Sequence, residues 1–386
     1  MEVYLDNSAT TRPYDEVIEY MNEINKYMYG NPSSLHTKGI EAEKLIKKAR
    51  ETISESLGVS SKEVYFTSGG TESINLAIRG YLEANPRLGN HIVTTKIEHP
   101  ATLEVCKYLE EKGYKVDYIG VDEKGVVRLK ELEEKINDKT ALISVMMVNN
   151  ETGSIQPVDE IAAIRNARNR DAVMHVDAVQ AYGKMQVLPY KQGIDMLSVS
   201  SHKIHGPKGT GALYVNRKLR IKPIIFGGGQ ESSLRSGTEN VPGICGFGLA
   251  VEKTFEKIEE NRLKVEKLRS LLCDMLKKEG FEEYKINSPD NGSPYILNIS
   301  FPNVKAEVLL HHLEEKKIFV STGSACSSRK RKLSHVLEAM SLRTCDIEGA
   351  VRFSFSSFNT EEDIIYTVDA LKEILPKIRI RHGGKR

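Results

Sequence analysis

The spacing of apolar residues predicts helices alternating with strands over residues 40–215. Between residues 40 and 58 apolar side chains recur every three or four positions, which indicates a helix with one buried face. Short apolar segments predict strands at 64–66, 91–95, 115–121, 140–148, 172–178, 195–201 and 211–215, most with helical patterns between them. This alternation is typical of an α/β fold with a mostly parallel, helix-covered sheet.

The C-terminal part of the chain has a different pattern. A long amphipathic helical stretch begins near residue 243 and runs to about residue 280. Further on, the pattern predicts strands and helices at 295–301, 306–317, 318–322, 351–358 and 361–378. Because 386 residues exceed one comfortable core, we expect a large domain at 15–250 and a smaller α+β domain at 251–386, joined by segment 1–14.

Composition narrows the class of protein. A formal net charge of +2 gives no overall reason to bind nucleic acid or a membrane. The longest apolar run, 141–148, is too short to span a bilayer, and residues 1–11 lack secretory-signal features. The five cysteines are odd in number and none forms a CxxC pair, so we expect free thiols, a cytoplasmic protein and no intrinsic metal site.

Lys203 stands at an unusual place in this pattern. It follows the predicted strand 195–201, next to His202 and before a glycine-rich turn. An ammonium group at the end of a buried strand loses hydration energy unless it is paired, neutralised or covalently consumed. Taken alone, Lys203 is best explained as a salt-bridge partner.

Four polar segments follow predicted strands, where ligands of open α/β sheets bind. They are SGGT at 68–71, EHPA at 98–101, NNETG at 149–153 and HVDAVQ at 175–180. SGGT opens a helix, so it can present N–H groups to an anion or be an ordinary turn with Thr71 as N-cap. Asp177, His99 and Asn150 each have an equally simple explanation as a cap or a satisfied hydrogen-bond partner.

The combination of these groups with Lys203 is more informative than any one of them. An anion cradle, an aspartate, a histidine that can stack on a ring and a lysine share one sheet edge. Pyridoxal phosphate needs phosphate donors, an acid at its ring nitrogen, a group against its face and an amine for the Schiff base. The residues therefore indicate a pyridoxal-phosphate site.

The chain resembles the cysteine desulfurases of the NifS/IscS type, in the class V aminotransferase group of fold-type I pyridoxal-phosphate enzymes. The matching segments are LDNSATT, GNPSSLH, FTSGGTESIN, EHPA, NNETG, HVDAVQ, SSHKIHGPKGTGALYV, GGGQE, LRSGTEN, STGSACSS and VRFSFSSF. They occur in family order over nearly the whole chain. The resemblance implies that 15–250 is the cofactor-binding domain.

The resemblance also implies the roles of the residues around the cofactor ring. Lys203 forms the Schiff base and later moves protons at the substrate Cα. Asp177 pairs with the pyridinium nitrogen, and Gln180 bonds the ring hydroxyl oxygen. His99 stacks on the ring and can act as an acid–base group.

For the phosphate and the substrate, the resemblance implies a second set of residues. Those that hold the phosphate are Gly70, Thr71, Ser200 and His202. Thr238 reaches the phosphate of the opposite subunit, so the working unit is expected to be a homodimer. Asn150 lies by cofactor and substrate, and with Arg352 it binds the substrate carboxylate.

Arg352 has support from its own neighbourhood. Val351, Phe353 and Phe355 alternate with it, which places the arginine on the polar face of a strand. A guanidinium fork suits a carboxylate. Without the resemblance, a surface strand arginine is the simpler interpretation.

Cys326 is the candidate nucleophile. It stands among Ser, Gly and Ala residues and precedes four basic residues, 329–332, which favour the thiolate form. The resemblance places the catalytic cysteine here and implies that L-cysteine becomes L-alanine while Cys326 receives a persulfide. The same thiol is a possible transient ligand of an iron–sulfur cluster.

The acceptor of the sulfur stays open in the sequence. The long segment between Cys326 and SHVLEAM resembles the subgroup that serves iron–sulfur scaffolds or tRNA-thiolation proteins. Leu333 replaces a proline that is frequent in the family, and run 329–332 is unusually basic, which fits either a solvated loop or a docking patch for an acidic partner.

Two alternatives to a cysteine desulfurase stay open in the sequence. One is another class V enzyme, such as a selenocysteine lyase or a small-amino-acid aminotransferase, and the other is a non-enzymatic nucleic-acid binder.

Overall fold

The structure is a computed structural model that describes residues 1–278, 280–281, 283–322 and 333–380. Its strands are β1 Val3–Tyr4, β2 Val64–Thr67, β3 His91–Thr95, β4 Lys115–Ile119, β5 Thr140–Met146, β6 Val173–Asp177, β7 Met196–Ser200, β8 Gly211–Val215, β9 Lys285–Ile286, β10 Ile296–Ser300, β11 Ile318–Phe319, β12 Ser321–Thr322 and β13 Ala350–Ser354. Its helices are α1 Asp15–Tyr27, α2 Thr37–Leu57, α3 Gly70–Asn75, α4 Tyr81–Ala84, α5 Pro100–Glu111, α6 Leu129–Lys135, α7 Val158–Arg168, α8 Pro189–Gln192, α9 Val241–Glu256, α10 Ile258–Lys278, α11 Ala306–Glu315, α12 His335–Ala339, α13 Thr344–Glu348 and α14 Glu361–Ile378.

Seven strands form the main sheet, in the order β2-β8-β7-β6-β5-β3-β4. All neighbours pair in parallel except at β8, which is antiparallel to both β2 and β7. Every residue of β3, β5, β6, β7 and β8 is buried, as expected for a sheet with helices on both faces. The α/β fold with a mostly parallel, helix-covered sheet is confirmed.

The register of this sheet fixes where its polar strand ends meet. Met146 of β5 is paired with Asp177 of β6, and Asp177 is paired with Ser198 of β7. The carboxyl ends of these central strands therefore lie side by side. The segments that follow them carry most of the candidate site residues.

A smaller antiparallel sheet has the order β12-β13-β10-β9, and helices α10, α11 and α14 pack together beside it. Two predicted elements differ from the pattern. The strand predicted at 318–322 is divided, because β11 pairs with the N-terminal β1 whereas β12 pairs with β13. The long helix predicted from 243 to 280 ends at Glu256 and restarts at Ile258, since α9 packs on α1 and α2 while α10 packs on α14.

The N-terminal segment touches both sheets. Leu5 donates its N–H to the Phe319 carbonyl, and the Ser354 N–H donates to the Leu5 carbonyl. A few residues further on, Thr11 donates to the carbonyl of His202, beside the end of β7. These bonds agree with a joining role for segment 1–14, while the domain bounds 15–250 and 251–386 stay a prediction. No helix of the described residues is long and apolar enough to cross a membrane.

The amide of Asn7 tests this connection. Its Nδ2 lies 2.9 Å from the Ser354 carbonyl and 3.3 Å from Asn359 Oδ1, and the residue is buried. We expect Asn7→Ala to lower the free energy of unfolding by about 2 kcal/mol, because buried partners lose their donor. Chemical denaturation measures the change, with the exposed Asn25→Ala as control. Equal effects of the two substitutions would contradict the connection.

Candidate active site

Lys203 is held by the N-terminal segment. Strand β7 ends at Ser200, and a single turn, Ser201–Lys203, follows it. The Lys203 ammonium donates to the carbonyls of Ser8 and Ala9, with Nζ–O distances of 2.6 and 2.8 Å. These two backbone acceptors, from a distant part of the chain, replace part of the hydration that the lysine loses at the end of a buried strand.

An anion cradle lies beside this turn, at the start of α3. Gly69 has φ +150°, and a Cβ built there would lie 3.8 Å from Ser200 Oγ. A Cβ on Gly70 would come within 2.7 Å of Val179 Cγ2, so Gly70 allows a close approach, whereas Gly69 is favoured by its positive φ. The buried Ser200 Oγ has no hydrogen-bond partner among the described residues. Together with the first N–H groups of the helix, it is a ready donor for an anion.

Asp177 ends β6 and is almost completely buried. Its Oδ1 accepts a hydrogen bond from the Val179 N–H at 3.0 Å, and Val179 in turn packs on the cradle glycine Gly70. Burial raises the pKa of Asp177 to about 6, although this hydrogen bond and the Lys203 charge act in the opposite direction. A carboxylate kept in so apolar a place is suited to a cationic partner.

His99 caps helix α5, where its Nδ1 accepts a hydrogen bond from the Ala101 N–H at 3.1 Å. Burial, with the charge of Lys203, lowers the pKa of His99 to about 4, so the imidazole is neutral at physiological pH. His99 and Thr71 line one open cleft of about 420 Å³. The structure therefore brings the histidine and the start of the cradle to the same space.

His202 belongs to the turn that carries Lys203 and faces the N-terminal segment. Its Nδ1 is 3.2 Å from Thr10 Oγ1. Burial, followed by the charges of Lys203 and other lysines, lowers the pKa of His202 to about 4. It is therefore a neutral donor or acceptor beside the cradle.

Gln180 follows Asp177 by less than one helical turn. Its Nε2 donates to the Ser8 carbonyl at 2.9 Å, and its Oε1 accepts from Lys184 Nζ at 2.9 Å. Because Lys203 donates to the same Ser8 carbonyl, the amide and the amine converge on one oxygen. The sequence analysis assigned no role to Lys184.

Arg352 lies on the central strand β13 of the smaller sheet and is buried, so the alternative of a surface arginine is wrong. Strands β10 and β12 flank β13 and cover it. Its Nη1 donates to the Asn150 carbonyl at 2.9 Å, and its Nη2 pairs with Asp6 Oδ1 at 2.7 Å. The structure thus brings Arg352 and Asn150 together. It also shows an ion pair between the Arg352 guanidinium and the Asp6 carboxylate, which the sequence did not predict.

One predicted residue, Thr238, lies apart from this cluster. Thr238 is exposed in the segment between β8 and α9. The nearby Arg235 is paired with Glu72 of α3, with an Nε–Oε1 distance of 2.9 Å, so the segment is tied to the helix that carries the cradle. Cys326 lies outside the described residues.

Two buried glutamates that stand next to predicted site residues were not found by sequence reasoning. Glu98 precedes His99, and its Oε1 accepts from Thr95 Oγ1 at 2.6 Å and from the Met146 N–H at 3.0 Å. Glu151 follows Asn150 and accepts from Ser334 Oγ at 2.5 Å, while His335 Nε2 lies 3.0 Å from the Glu98 carbonyl. Both glutamates belong to motifs that the sequence analysis singled out, EHPA and NNETG. The motifs therefore indicated the right segments, but the letters did not show that the glutamate is the buried residue in each.

The donor set fits pyridoxal phosphate. The Ser200 hydroxyl, which has no hydrogen-bond partner among the described residues, and the glycine cradle suit the phosphate, which binds well at a helix N-terminus. Buried Asp177 suits a protonated ring nitrogen, and Lys203 supplies the amine. Among the described residues no cluster is suited to a metal ion.

The sheet order and the lysine-centred site define a class of protein. The family model for class V aminotransferases matches residues 3–366, and the chain belongs to this family. It is 42% identical over 378 residues to cysteine desulfurase IscS of Dictyoglomus turgidum, covering 98% of this chain and 95% of the relative. Within the family, the chain therefore groups with the NifS/IscS cysteine desulfurases.

Solved structures agree with this grouping. A NifS-like protein superposes with a TM-score of 0.92 at 44% identity, covering 98% of this chain and all 100% of the other. A second structure, of SspA in complex with cysteine, has a TM-score of 0.78 at 34% identity and covers 93% of this chain and 100% of its own. Both support the fold assignment over nearly the full length.

Glu98 gives this site a measurable pH dependence. Burial raises its pKa from 4.5 to about 8, so the folded protein keeps a proton that the unfolded chain releases. Stability from this group is complete below pH 4.5 and is lost as the pH rises towards 8. We expect Glu98→Gln, which stays neutral, to gain stability relative to the wild type over this window, by at most about 1.4 kcal/mol per pH unit.

Denaturation at pH 5, 6, 7 and 8 measures the difference between the two proteins. The exposed Glu104→Gln, on helix α5 that follows Glu98, is the control, and its difference from the wild type should stay nearly constant. A pH-independent difference for Glu98→Gln would show that this carboxyl is not held neutral.

Proposed function

We propose that the protein is a pyridoxal-phosphate-dependent cysteine desulfurase that converts L-cysteine to L-alanine and receives the sulfur on Cys326. The observation that carries the proposal is the convergence of Lys203, buried Asp177 and the Ser200 cradle at one sheet edge. The identity to NifS/IscS relatives over nearly the whole chain supports the choice of reaction. The proposed reaction is the same as the one expected from the sequence.

The residues that would hold the cofactor follow from their positions. Gly70, Thr71, Ser200 and His202 would bind the phosphate, and Asp177 would pair with the ring nitrogen. When bound, pyridoxal phosphate supplies an aldehyde for an amine and an electron sink for charge at the substrate Cα. His99, held at the N-terminus of α5, would lie against the ring.

Lys203 would carry the proton at the substrate Cα. The turn after β7 fixes its backbone, and the Ser8 and Ala9 carbonyls accept from its Nζ, so the amine is positioned before any ligand arrives. Such positioning reduces the entropy cost of the proton transfer. His99, neutral at physiological pH, is available as a second acid–base group.

Arg352 and Asn150 would bind the substrate carboxylate. The guanidinium is buried and its Nε has no partner among the described residues, whereas Nη2 is paired with Asp6. An incoming carboxylate can therefore use the remaining donors or displace Asp6. Buried charge pairs of this kind discriminate strongly against ligands without a matching charge.

Cys326 would take the sulfur. Its thiolate attacks the substrate sulfur, the Cβ–S bond breaks with its electron pair left on Cβ, and a proton on Cβ completes alanine. The described residues on either side are fixed near the site, because Thr322 is paired with Val351 and Ser334 is bonded to Glu151. Cys326 thus belongs to a segment that starts and ends beside the substrate-binding residues.

The product persulfide would pass its sulfur to an acceptor protein, an iron–sulfur scaffold or a tRNA-thiolation protein, and Cys326 would serve as a transient cluster ligand. Basic run 329–332 would be a docking patch if the acceptor is acidic. We also propose a cytoplasmic location, which suits the free thiols of the four described cysteines.

A homodimer would complete the site, with Thr238 at the phosphate of the opposite subunit. The single chain leaves large apolar side chains in water: Leu35 is 96% exposed, Phe226 79% and Tyr29 73%. Phe226 lies in the same segment as Thr238. These exposed apolar side chains are candidates for the subunit interface, where a partner would cover them.

Mass spectrometry after incubation with L-cysteine tests the reaction. We expect one added sulfur atom on the peptide that carries Cys326, together with alanine. Cys326→Ala should keep the visible absorption of the bound cofactor and lose sulfur release, while exposed Cys345→Ala should behave as the wild type. Normal sulfide release from Cys326→Ala would overturn the scheme, and turnover that depends on a keto acid would indicate an aminotransferase instead.

Light scattering tests the homodimer. We expect the wild type at twice 43.3 kDa, and a shift towards the monomer with weaker cofactor retention in Phe226→Asp, because a charge would be buried in the interface. Leu263→Asp, at a 49% exposed position on α10, is the control. A monomeric wild type that keeps its cofactor would contradict the shared site.

A further inference from the structure

Lys184 is a buried lysine with no role in the proposed reaction. It lies in the turns that follow Asp177 and is 8% exposed. Its Nζ donates to Gln180 Oε1 at 2.9 Å and lies 5.6 Å from the centre of the Tyr295 ring. In the part of the chain that the structure describes, no salt bridge joins it to an acidic group. Burying an amine in this way is costly, so its hydrogen bond to Gln180 is informative.

The hydrogen bond continues from Lys184 to the catalytic lysine. Gln180 Nε2 donates to the Ser8 carbonyl at 2.9 Å, and Lys203 Nζ donates to the same oxygen at 2.6 Å. Lys184 and Lys203 also line one small cavity. The two lysines are therefore joined by three hydrogen bonds through two groups, the Gln180 amide and the Ser8 carbonyl, and each bond has a defined donor and acceptor.

The chemistry of Lys184 decides which way the amide of Gln180 faces. A protonated lysine is only a donor, so the oxygen of the amide must face Lys184. The amide NH₂ then faces Ser8 and Lys203, where it can donate to a ligand oxygen. Burial lowers the pKa of Lys184 to about 7, and a neutral amine can accept as well as donate. The Ser8 carbonyl can only accept, so it still requires the NH₂ on its side, and Lys184 in either charge state can donate to the amide oxygen.

We propose that Lys184 is a positioning residue that holds the NH₂ of Gln180 towards the site as a donor for the ring oxygen of the cofactor. This inference rests on the proposed function and deepens it. A donor at the ring oxygen favours its deprotonated form. Lys184 therefore acts on the cofactor only through Gln180.

A double-mutant cycle on the cofactor-loaded, full-length protein tests this. Two quantities are measured: the dissociation constant of pyridoxal phosphate and the pH midpoint of its visible absorption. They are compared among the wild type, Lys184→Met, Gln180→Ala and the double variant that carries both changes. We expect each single change to weaken binding about tenfold and to raise the midpoint, by about one pH unit for Gln180→Ala. The double variant should match Gln180→Ala, because the two residues act as one unit.

Two controls separate positioning from general damage. Lys184→Arg keeps a donor and should keep the wild-type midpoint, and it serves as a second variant if Lys184→Met folds poorly. Arg165→Met removes another buried cation, which is paired with Asp195. Asp195 contacts the start of β6 at Met174, the opposite end of the strand from Asp177, so this change should lower stability without moving the midpoint. A midpoint that moves with Arg165→Met would assign the Lys184 effect to structure alone.

The outcomes for the inference and for the proposed function are distinct. A wild type that binds no pyridoxal phosphate would overturn both. A wild type that binds it, with additive effects of Lys184→Met and Gln180→Ala or no effect of Lys184→Met, would overturn only the positioning role.

Discussion

The site depends on one interaction, the capture of the Lys203 amine by the carbonyls of Ser8 and Ala9. An amine at the end of a buried strand must replace its lost hydration, and the chain does so in part with backbone oxygens from a segment 194 or 195 residues away in sequence. Since that segment also pairs with β11 and bonds Ser354, the lysine is tied to the smaller sheet. The position of the reactive amine therefore follows from the way both parts of the fold are joined.

Burial sets the charge of most groups around Lys203. Loss of solvent lowers the pKa of His99 and His202 to about 4 and raises that of Asp177 to about 6. Both imidazoles are consequently neutral at physiological pH, whereas Asp177 is mostly ionised, so a cationic ring would meet a carboxylate in a low-dielectric place. Strong electrostatic binding and weak solvation of these groups thus have the same physical origin.

Two polar clusters connect the strand ends to the smaller sheet. Arg352 joins Asp6 to the Asn150 carbonyl, and Ser334 and His335 reach Glu151 and the Glu98 carbonyl. The second cluster joins glutamates that stand beside Asn150 and His99 to residues that follow the candidate nucleophile segment. Movement of the smaller sheet would alter the substrate-binding residues Arg352 and Asn150 together.

The sequence by itself determined the period of each element, the parallel sheet and the polar residues at its strand ends, because burial on both faces and turn chemistry are local properties of the chain. It predicted Lys203, Asp177 and the glycine cradle as one site for the same reason. Only the tertiary structure decided that Arg352 is buried against Asp6, that residues 318–322 serve two sheets, and that Lys184 orients Gln180. Those features depend on which distant segments meet, and no local period along the chain records a contact of that kind.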